Sequence, residues 1–390
     1  MSVHEAGAQM LGYLYQVRLA LYLLLNNEDP SAMISIEKFD DIAFESNGTP
    51  YELIQMKHHT TNLGDLTDKS VDLWRTFKSW IDTISNDLTI LEHTNFIIIT
   101  TACVPAGSAA EKINQGENEV AYSLLKKVAE DKKNKSNALF YNAFLNQEAS
   151  KIKTLLSKAK IIGSSSNISD VRDDIKKVIR YSCKHEHIDY VTDRVEGWWF
   201  NEVIKALLSN NSVLISQGML QNKIIEISRQ YDDDNLPIEF WNLDSIEEKD
   251  LDTKDRLFLE QLRLISSSNN TLKIAIRDYY RASVQRSSWL RKGLIFANEL
   301  DSYENRLKDA WERAFAAMEE NLSEYGEPTE DEKIREGRAL YRNVTGQDIR
   351  IRDKCEAPYV MHGTYHIMSN ALDIGWHIDF IKRIKQIMEG

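Results

Sequence analysis

The sequence predicts an α/β (α+β) core followed by an all-α C-terminal domain. Three observations carry this. Short runs rich in β-branched and aromatic residues are confined to the first hundred positions, helical spacing of apolar residues dominates after them, and the acidic, turn-like DDDNLP at 232–237 separates two helical stretches. With 390 residues, 42% hydrophobic and 28% charged, and only six prolines, the chain can bury two cores. A disordered, fibrous or disulfide-stapled protein is excluded.

Taken in order, residues 1–25 read as an amphipathic helix with Met10, Tyr13, Leu14, Val17, Leu21, Leu24 and Leu25 at spacings of three and four, ended by Asn26, Asn27 and Pro30. MISIEKF, DIAFES and YELIQMKH follow as three strands of a meander, with SNGTP as turn chemistry between the second and third. Val71, Leu73, Trp74, Phe77, Trp80, Ile81 and Ile84 return to helical spacing, and NFIIITTA reads as a strand buried on both faces. Residues 109–232 read as mostly helical, including the basic LLKKVAEDKKNK and KIKTLLSKAK. The expected organisation is a first domain at 1–232, with its core at about 1–105, an acidic linker at 233–252, and a helical domain at 253–390. Within the last, a charged run from Trp289 to Tyr325, a polar break at GEPTED and a terminal amphipathic segment, NALDIGWHIDFIKRIKQIM, are expected.

Cys103, Cys183 and Cys355 are too far apart for a zinc ribbon or a redox pair, and a reducing cytoplasm is the simplest home for them. The opening MSVHEAGAQM has no basic stretch before an apolar core, and LGYLYQVRLALYLLL is broken by Gln16 and Arg18, so neither an export signal nor a membrane span is expected. No phosphate-cradling glycine motif occurs, which argues against nucleotide hydrolysis by a P-loop within this sequence.

The stretch that can carry chemistry is EKFDDIAFESNGTPYELIQMKHH, residues 37–59. Gln55 and Lys57 are two apart on a strand and share a face, where Asp41 can join them across a tight connection. A carboxylate, an amide oxygen and the Met56 carbonyl suit a hard divalent ion, magnesium with manganese as a substitute, while the ammonium can orient an attacking water. His58 and His59 follow directly, and only His59 shares the Lys57 face. By composition alone, the same spacing better describes a surface hairpin with a solvated acid and lysine, and it is the order of elements around it that favours a site.

Other features read more blandly. Cys183, His185 and His187 would converge on a zinc ion only from a strand, whereas their surroundings read as helical. His362 and His366 are four apart without an HExxH glutamate, which favours packing over a metal. Trp74, Trp80, Trp198 and Trp199 are better core residues than base-stacking platforms. The last segment has more apolar side chains than one helix face needs, so burial and partner docking both remain open.

The order helix, acid-bearing hairpin, QxK strand, helix, buried strand resembles the PD-(D/E)xK restriction-endonuclease-like core in its QxK variant. GYLYQ at 12–16, FDDIAFE at 39–45, ELIQMKHH at 52–59, LTDKSVDLW at 66–74 and FIIITTA at 96–102 resemble the effector endonuclease domain of anti-phage CBASS systems and of the nuclease subunit of Lamassu, an ABC-three-component defence system. WWF at 198–200 is similar to that family's closing helix, and FLEQLRLI at 258–265 with AIRDYYRASVQRSSWLRKGL at 275–294 is similar to the helical partner-binding domain of three-component systems. The resemblance implies a magnesium-dependent double-stranded DNA endonuclease, held inactive by an SMC-like ATPase and a small accessory subunit. Release and self-association, to an oligomer such as a tetramer, would activate it. It also implies Asp41, Gln55 and Lys57 as the catalytic set, with Glu37, Asp40 and Gln16 as secondary members. Two rivals stand beside it: the same core acting on RNA or single-stranded DNA, and a catalytically weak adaptor that assembles the ATPase complex.

Charge qualifies this reading. The net charge of -12 disfavours polyanions, yet residues 1–100 carry 6 basic against 14 acidic side chains while residues 101–200 carry 16 against 13. DNA is therefore expected at Lys126, Lys127, Lys132, Lys133, Lys135, Lys151 and Lys153, with Lys158 and Lys160 beside them, in a groove completed by assembly of several copies; the same lysines read equally well as solvated helix faces.

Overall fold

A computed structural model describes residues 3–57, 64–131, 134–210, 213–243 and 256–389. The chain divides into two compact units, Met1–Arg229 and Gln230–Gly390.

The first unit begins with helix α1 (Val3–Leu25), followed by β1 (Met33–Ile36), β2 (Ile42–Ser46) and β3 (Thr49–Lys57). The β2–β3 turn is Asn47-Gly48 with φ of 51° and 80°, the two-residue turn whose positive φ values match the twist of a hairpin. Helices α2 (Val71–Asn86) and α3 (Leu88–His93) cross over to β4 (Asn95–Thr100), which pairs parallel to β3. Helices α4 (Ala109–Asn114), α5 (Asn118–Glu130), α6 (Ala138–Leu145) and α7 (Ala149–Ser157) lead to β5 (Ala159–Ile162), parallel to β4. Then come α8 (Ile168–Ile179), α9 (Ile188–Leu208), the two-residue β6 (Ile215–Ser216) and α10 (Gln217–Ser228). The sheet order is β5-β4-β3-β2-β1-β6, with β1, β2 and β3 an antiparallel meander and β6 antiparallel to β1.

On one sheet face, Ala43, Leu53, Phe96, Ile98 and Ile161 form a core with Leu73, Trp74, Phe77, Trp80, Ile81 and Ile84 of α2 and Tyr141 and Phe144 of α6. Trp74 meets Tyr141 edge to face at 4.5 Å and 81°, so its indole is a packing element. Helix α1 packs with α8, α9, α10 and β1, and the buried Trp199 donates its indole N–H to the Val17 carbonyl at 2.7 Å.

Three expectations for this unit are corrected. The buried stripe of α1 is Tyr15, Leu19, Ala20, Leu21 and Leu24, whereas Met10 and Tyr13 are 63% and 53% exposed. The first strand stops at Ile36, because Glu37 has φ of 57° and turns the chain. KIKTLLSKAK is not one helix: α7 ends at Ser157, and Ala159 enters β5, where Ile161 fills the core beside Ile98.

The second unit consists of α11 (Leu257–Leu264), α12 (Asn269–Arg291), α13 (Ala297–Glu324), α14 (Glu330–Thr345), α15 (Pro358–Asn370) and α16 (Phe380–Glu389). Helices α12 and α15 pack closely at Gly363, where a Cβ would collide with the Asp278 carbonyl oxygen and Ala282. The terminal segment is not a single helix. After Asn370 the chain turns at Leu372, φ 64°, and buries Ile374 and Trp376 in non-helical backbone before α16 begins at Phe380. The described part of the 233–252 segment is wall rather than linker: the Pro237 carbonyl accepts from Trp289 Nε1 at 2.8 Å, Glu239 accepts from Ser288 at 2.8 Å, and Leu236 is buried. Positions 244–252 lie outside the described residues.

Candidate active site

A cavity of about 420 Å³ opens in the first unit, lined by residues of α1, the β1–β2 loop, the end of β3 and the first turns of α2. Glu37 and Asp41 come from the loop, Met56 and Lys57 from β3, and Asp72 and Arg75 from α2.

The loop is held by its own backbone and by one buried amide. Glu37 N–H donates to the Asp41 carbonyl at 3.1 Å, closing the turn that its positive φ begins. Gln16, 5% exposed, donates from Nε2 to Glu37 Oε1 at 3.0 Å and to the same Asp41 carbonyl. A buried amide with both contacts made fixes the direction of the loop, and hence of its acids. The β2–β3 ladder ends at Ile42–Ile54, and the Asp41 carboxylate takes over by accepting the Met56 N–H at Oδ2, 2.7 Å. Lys38 pairs at 2.6 Å with the buried Glu45 and is not part of the cavity lining.

Asp40 and Asp41 diverge, as neighbours entering a strand must. Asp40 accepts the Trp80 indole N–H at 3.0 Å and the Asp41 N–H at 3.0 Å. Burial, then the Asp41 charge, pushes its carboxyl up to about 6, against the pull of the Trp80 and Asp41 hydrogen bonds and of Lys57.

Of the residues expected from sequence, Asp41, Lys57, Met56, Glu37 and Gln16 meet at the cavity and Asp40 lies behind it. Gln55 does not line it. That side chain is 7% exposed on the face it shares with Leu53 and Lys57; Lys57, at the end of the strand, reaches the cavity, and Gln55, further in, stays buried. His58 and His59 lie outside the described residues. Asp72, Arg75 and Tyr13 were not expected here; Asp72 and Arg75, three apart at the start of α2 and off its apolar stripe, are the signal that identifies one polar helix edge.

The basic stretch is elsewhere. Lys126 pairs with Glu130 at 3.8 Å, Lys153 with Glu119 at 2.7 Å, and Lys158 donates to the Glu92 carbonyl. Lys127 and Lys151 lie on α5 and α7, Lys135 in the turn before α6 and Lys160 on β5; none of the described lysines of this stretch lines the cavity. Lys132 and Lys133 lie outside the described residues. Among the described residues no group of three or more His, Cys, Asp or Glu side chains could hold a metal, the Cys183–His185–His187 set and the cavity acids Glu37, Asp41 and Asp72 included. His366 is 1% exposed and His362 hydrogen-bonds the Thr345 carbonyl at 3.0 Å, so both serve packing. No described helix is long and apolar enough to cross a membrane.

Fold and site together define a chain with an α/β unit that carries a polar, acid- and cation-lined cavity, joined to a helical unit. Residues 258–384, most of the helical unit, match the family model of C-terminal domain 7 of the ABC-three component (ABC-3C) systems. This match supports a subunit of a multi-component defence system. Among solved structures it is similar to the Cap4 SAVED/CARF-domain containing receptor of Moraxella osloensis, at 12% identity and a TM-score of 0.35 over 70% of this chain and 68% of that one. The Acinetobacter baumannii Cap4 receptor with the cyclic trinucleotide 3'3'3'-cAAA gives 12%, 0.35, 70% and 69%, and a second structure of that receptor gives 15%, 0.34, 72% and 61%. At TM-scores of 0.35 and 0.34 none of these carries a residue correspondence. No match was found among curated proteins.

Proposed function

We propose that the chain is a metal-dependent double-stranded DNA endonuclease with a PD-(D/E)xK-type core, acting as effector of a Lamassu-type ABC-3C anti-phage or anti-plasmid complex. The observation that carries this reading is the single cavity in which Glu37, Asp41, Met56 and Lys57 meet at the end of the β2–β3 hairpin. The donors fit a hard ion: Glu37 and Asp41 offer carboxylate oxygens, the Met56 main chain a carbonyl oxygen, and among the described residues no His or Cys lines the cavity. The third donor shifts from the buried Gln55 to Glu37. Bound there, magnesium would supply positive charge at the scissile phosphate. With only Glu37 and Asp41 as carboxylate donors, and Asp72 on the α2 edge of the cavity, affinity is modest and substrate phosphate completes the set.

Lys57 holds its ammonium at the cavity, where it can orient the attacking water and offset charge building on phosphorus. Gln16 keeps Glu37 and Asp41 in place. In the resting complex an SMC-like ATPase and an accessory subunit hold the chain silent, and release with self-association starts cutting. The ABC-3C domain is the support for partner subunits; it equally favours a second reading, an adaptor whose helical unit assembles the complex without cutting.

Incubation of the full chain with supercoiled plasmid and magnesium, at low and high protein concentration, separates the two. We expect nicking and linearisation that EDTA stops and Lys57→Ala abolishes. Cutting that persists in Lys57→Ala overturns the site; silence with partner subunits present supports the adaptor. RNA and single-stranded substrates run in parallel decide the polymer.

A further inference from the structure

We propose that Arg75 is a phosphate-binding residue of this site, gripping a backbone phosphate of the nucleic acid beside the bond that is cut. The inference rests on the nuclease reading and extends it to a residue that no motif assigns. Helix α2 turns Leu73, Trp74, Phe77, Trp80 and Ile81 into the core, which leaves Arg75 exposed on the edge that borders the cavity. Three carboxylates share that cavity, Glu37, Asp41 and Asp72, the last only one helical turn away on the same edge. Arg75 nonetheless makes no hydrogen bond or ion pair with any described residue. Arg18 is engaged with Glu196 at 2.6 Å, Arg352 with Glu299 at 2.8 Å, and Arg172, Arg286 and Arg383 with carboxylates of their own. Arg291 and Arg342 are, like Arg75, exposed without a partner among the described residues, but neither lines this acid-bearing cavity.

An arginine left open among acids that are directed elsewhere can take an anion brought in from outside. Glu37 and Asp41 are tied down by Gln16 and the Met56 N–H, so neither swings to neutralise it. The planar guanidinium presents paired N–H donors that match two oxygens of one phosphodiester, a geometry a lysine cannot reproduce. Lys57 and Arg75 thereby divide the work: the first acts at the reacting phosphate, the second anchors a neighbouring one.

The test uses the full chain as wild type, Arg75→Ala, Arg75→Lys and Lys57→Ala. Steady-state cleavage with magnesium gives kcat and KM, and anisotropy of a labelled duplex with calcium in place of magnesium gives affinity across a salt series. For Arg75→Ala we expect KM to rise roughly tenfold or more with a smaller change in kcat. The slope of log affinity against log salt should fall by about one. Arg75→Lys keeps the slope and recovers only part of KM. Unchanged KM and slope in Arg75→Ala, beside an inactive Lys57→Ala, overturn the proposal and leave the nuclease reading intact. If Lys57→Ala still cuts, the nuclease site is wrong, and Arg75 stands or falls by its salt slope. A wild-type chain that neither cuts nor binds the duplex overturns both.

Discussion

Adjacent carboxylates at the start of β2 have opposite tasks, and pH separates them. Asp41 is open to the cavity, whereas Asp40 is half-buried against Trp80 with its carboxyl raised to about 6. A native carboxyl that holds its proton more tightly than the unfolded chain costs stability once it is charged. The penalty is absent below about pH 4, grows as pH rises to about 6, and is constant above that. Asp40→Asn keeps an oxygen to accept the Trp80 N–H and removes the charge. The variant should therefore melt higher than wild type above about pH 7 and lose this part of the pH dependence. A variant that melts lower there, by calorimetry across the series, would show that the Asp40 charge is stabilising.

At the scale of elements, the tightest requirement is the α12–α15 contact. Gly363 lies where a Cβ would meet backbone of the facing helix, so Gly363→Ala must separate the helices or bend one of them. A cost of about 1–3 kcal/mol is expected from such overpacking. Gly197, in the middle of α9 with nothing near its Cβ position, is the control: Gly197→Ala should be neutral or stabilising by up to about 1 kcal/mol. Equal urea midpoints for the two variants would refute the close-contact argument.

The same elements show what the sequence could reveal. The meander and α2 were legible because their apolar residues repeat at two and at three to four, and SNGTP contains the Asn-Gly that a tight hairpin needs. Strand β5 was not, because Ala159–Ile162 is four residues long and follows a true helix whose charge pattern runs straight into it. Nor was the turn at 371–379: Ile374, Trp376, Ile378 and Phe380 keep an apolar count that suits a helix, and only Leu372's left-handed backbone breaks it. At the site, Lys57 followed from its place on β3 and Asp41 from the tight connection before β2, but the parity that joined Gln55 to Lys57 did not bring Gln55 to the cavity. Glu37 as a facing donor, and Arg75, depended on a loop clamped by a residue twenty-one positions earlier and on a helix edge, which no local spacing encodes.

For the whole molecule, charge decides how a nucleic acid can be held. Residues 1–229 carry 25 basic against 29 acidic side chains and residues 230–390 carry 23 against 31, so the acidity of the chain belongs mainly to its helical unit. Neither unit attracts a polyanion by its total, and any grip must come from local clusters that several copies can join. Within the basic stretch the lysines are unequal. Lys126 and Lys153 are paired with Glu130 and Glu119, while Lys127, Lys135 and Lys151 make no ion pair with a described residue. If these three form the groove, changing them together to glutamate should weaken duplex binding by well over tenfold at low salt and flatten its salt dependence, because every phosphate that is no longer neutralised takes about one from the slope. Reversal of Lys126 and Lys153 should do less, since their charge is already partly offset. Per-chain cutting should also rise with protein concentration in the wild type and stay low at all concentrations in the triple variant, measured by plasmid nicking beside sedimentation. Equal affinity, salt slope and concentration dependence in the triple variant and the wild type would remove the groove and leave the cavity cations as the grip on the substrate.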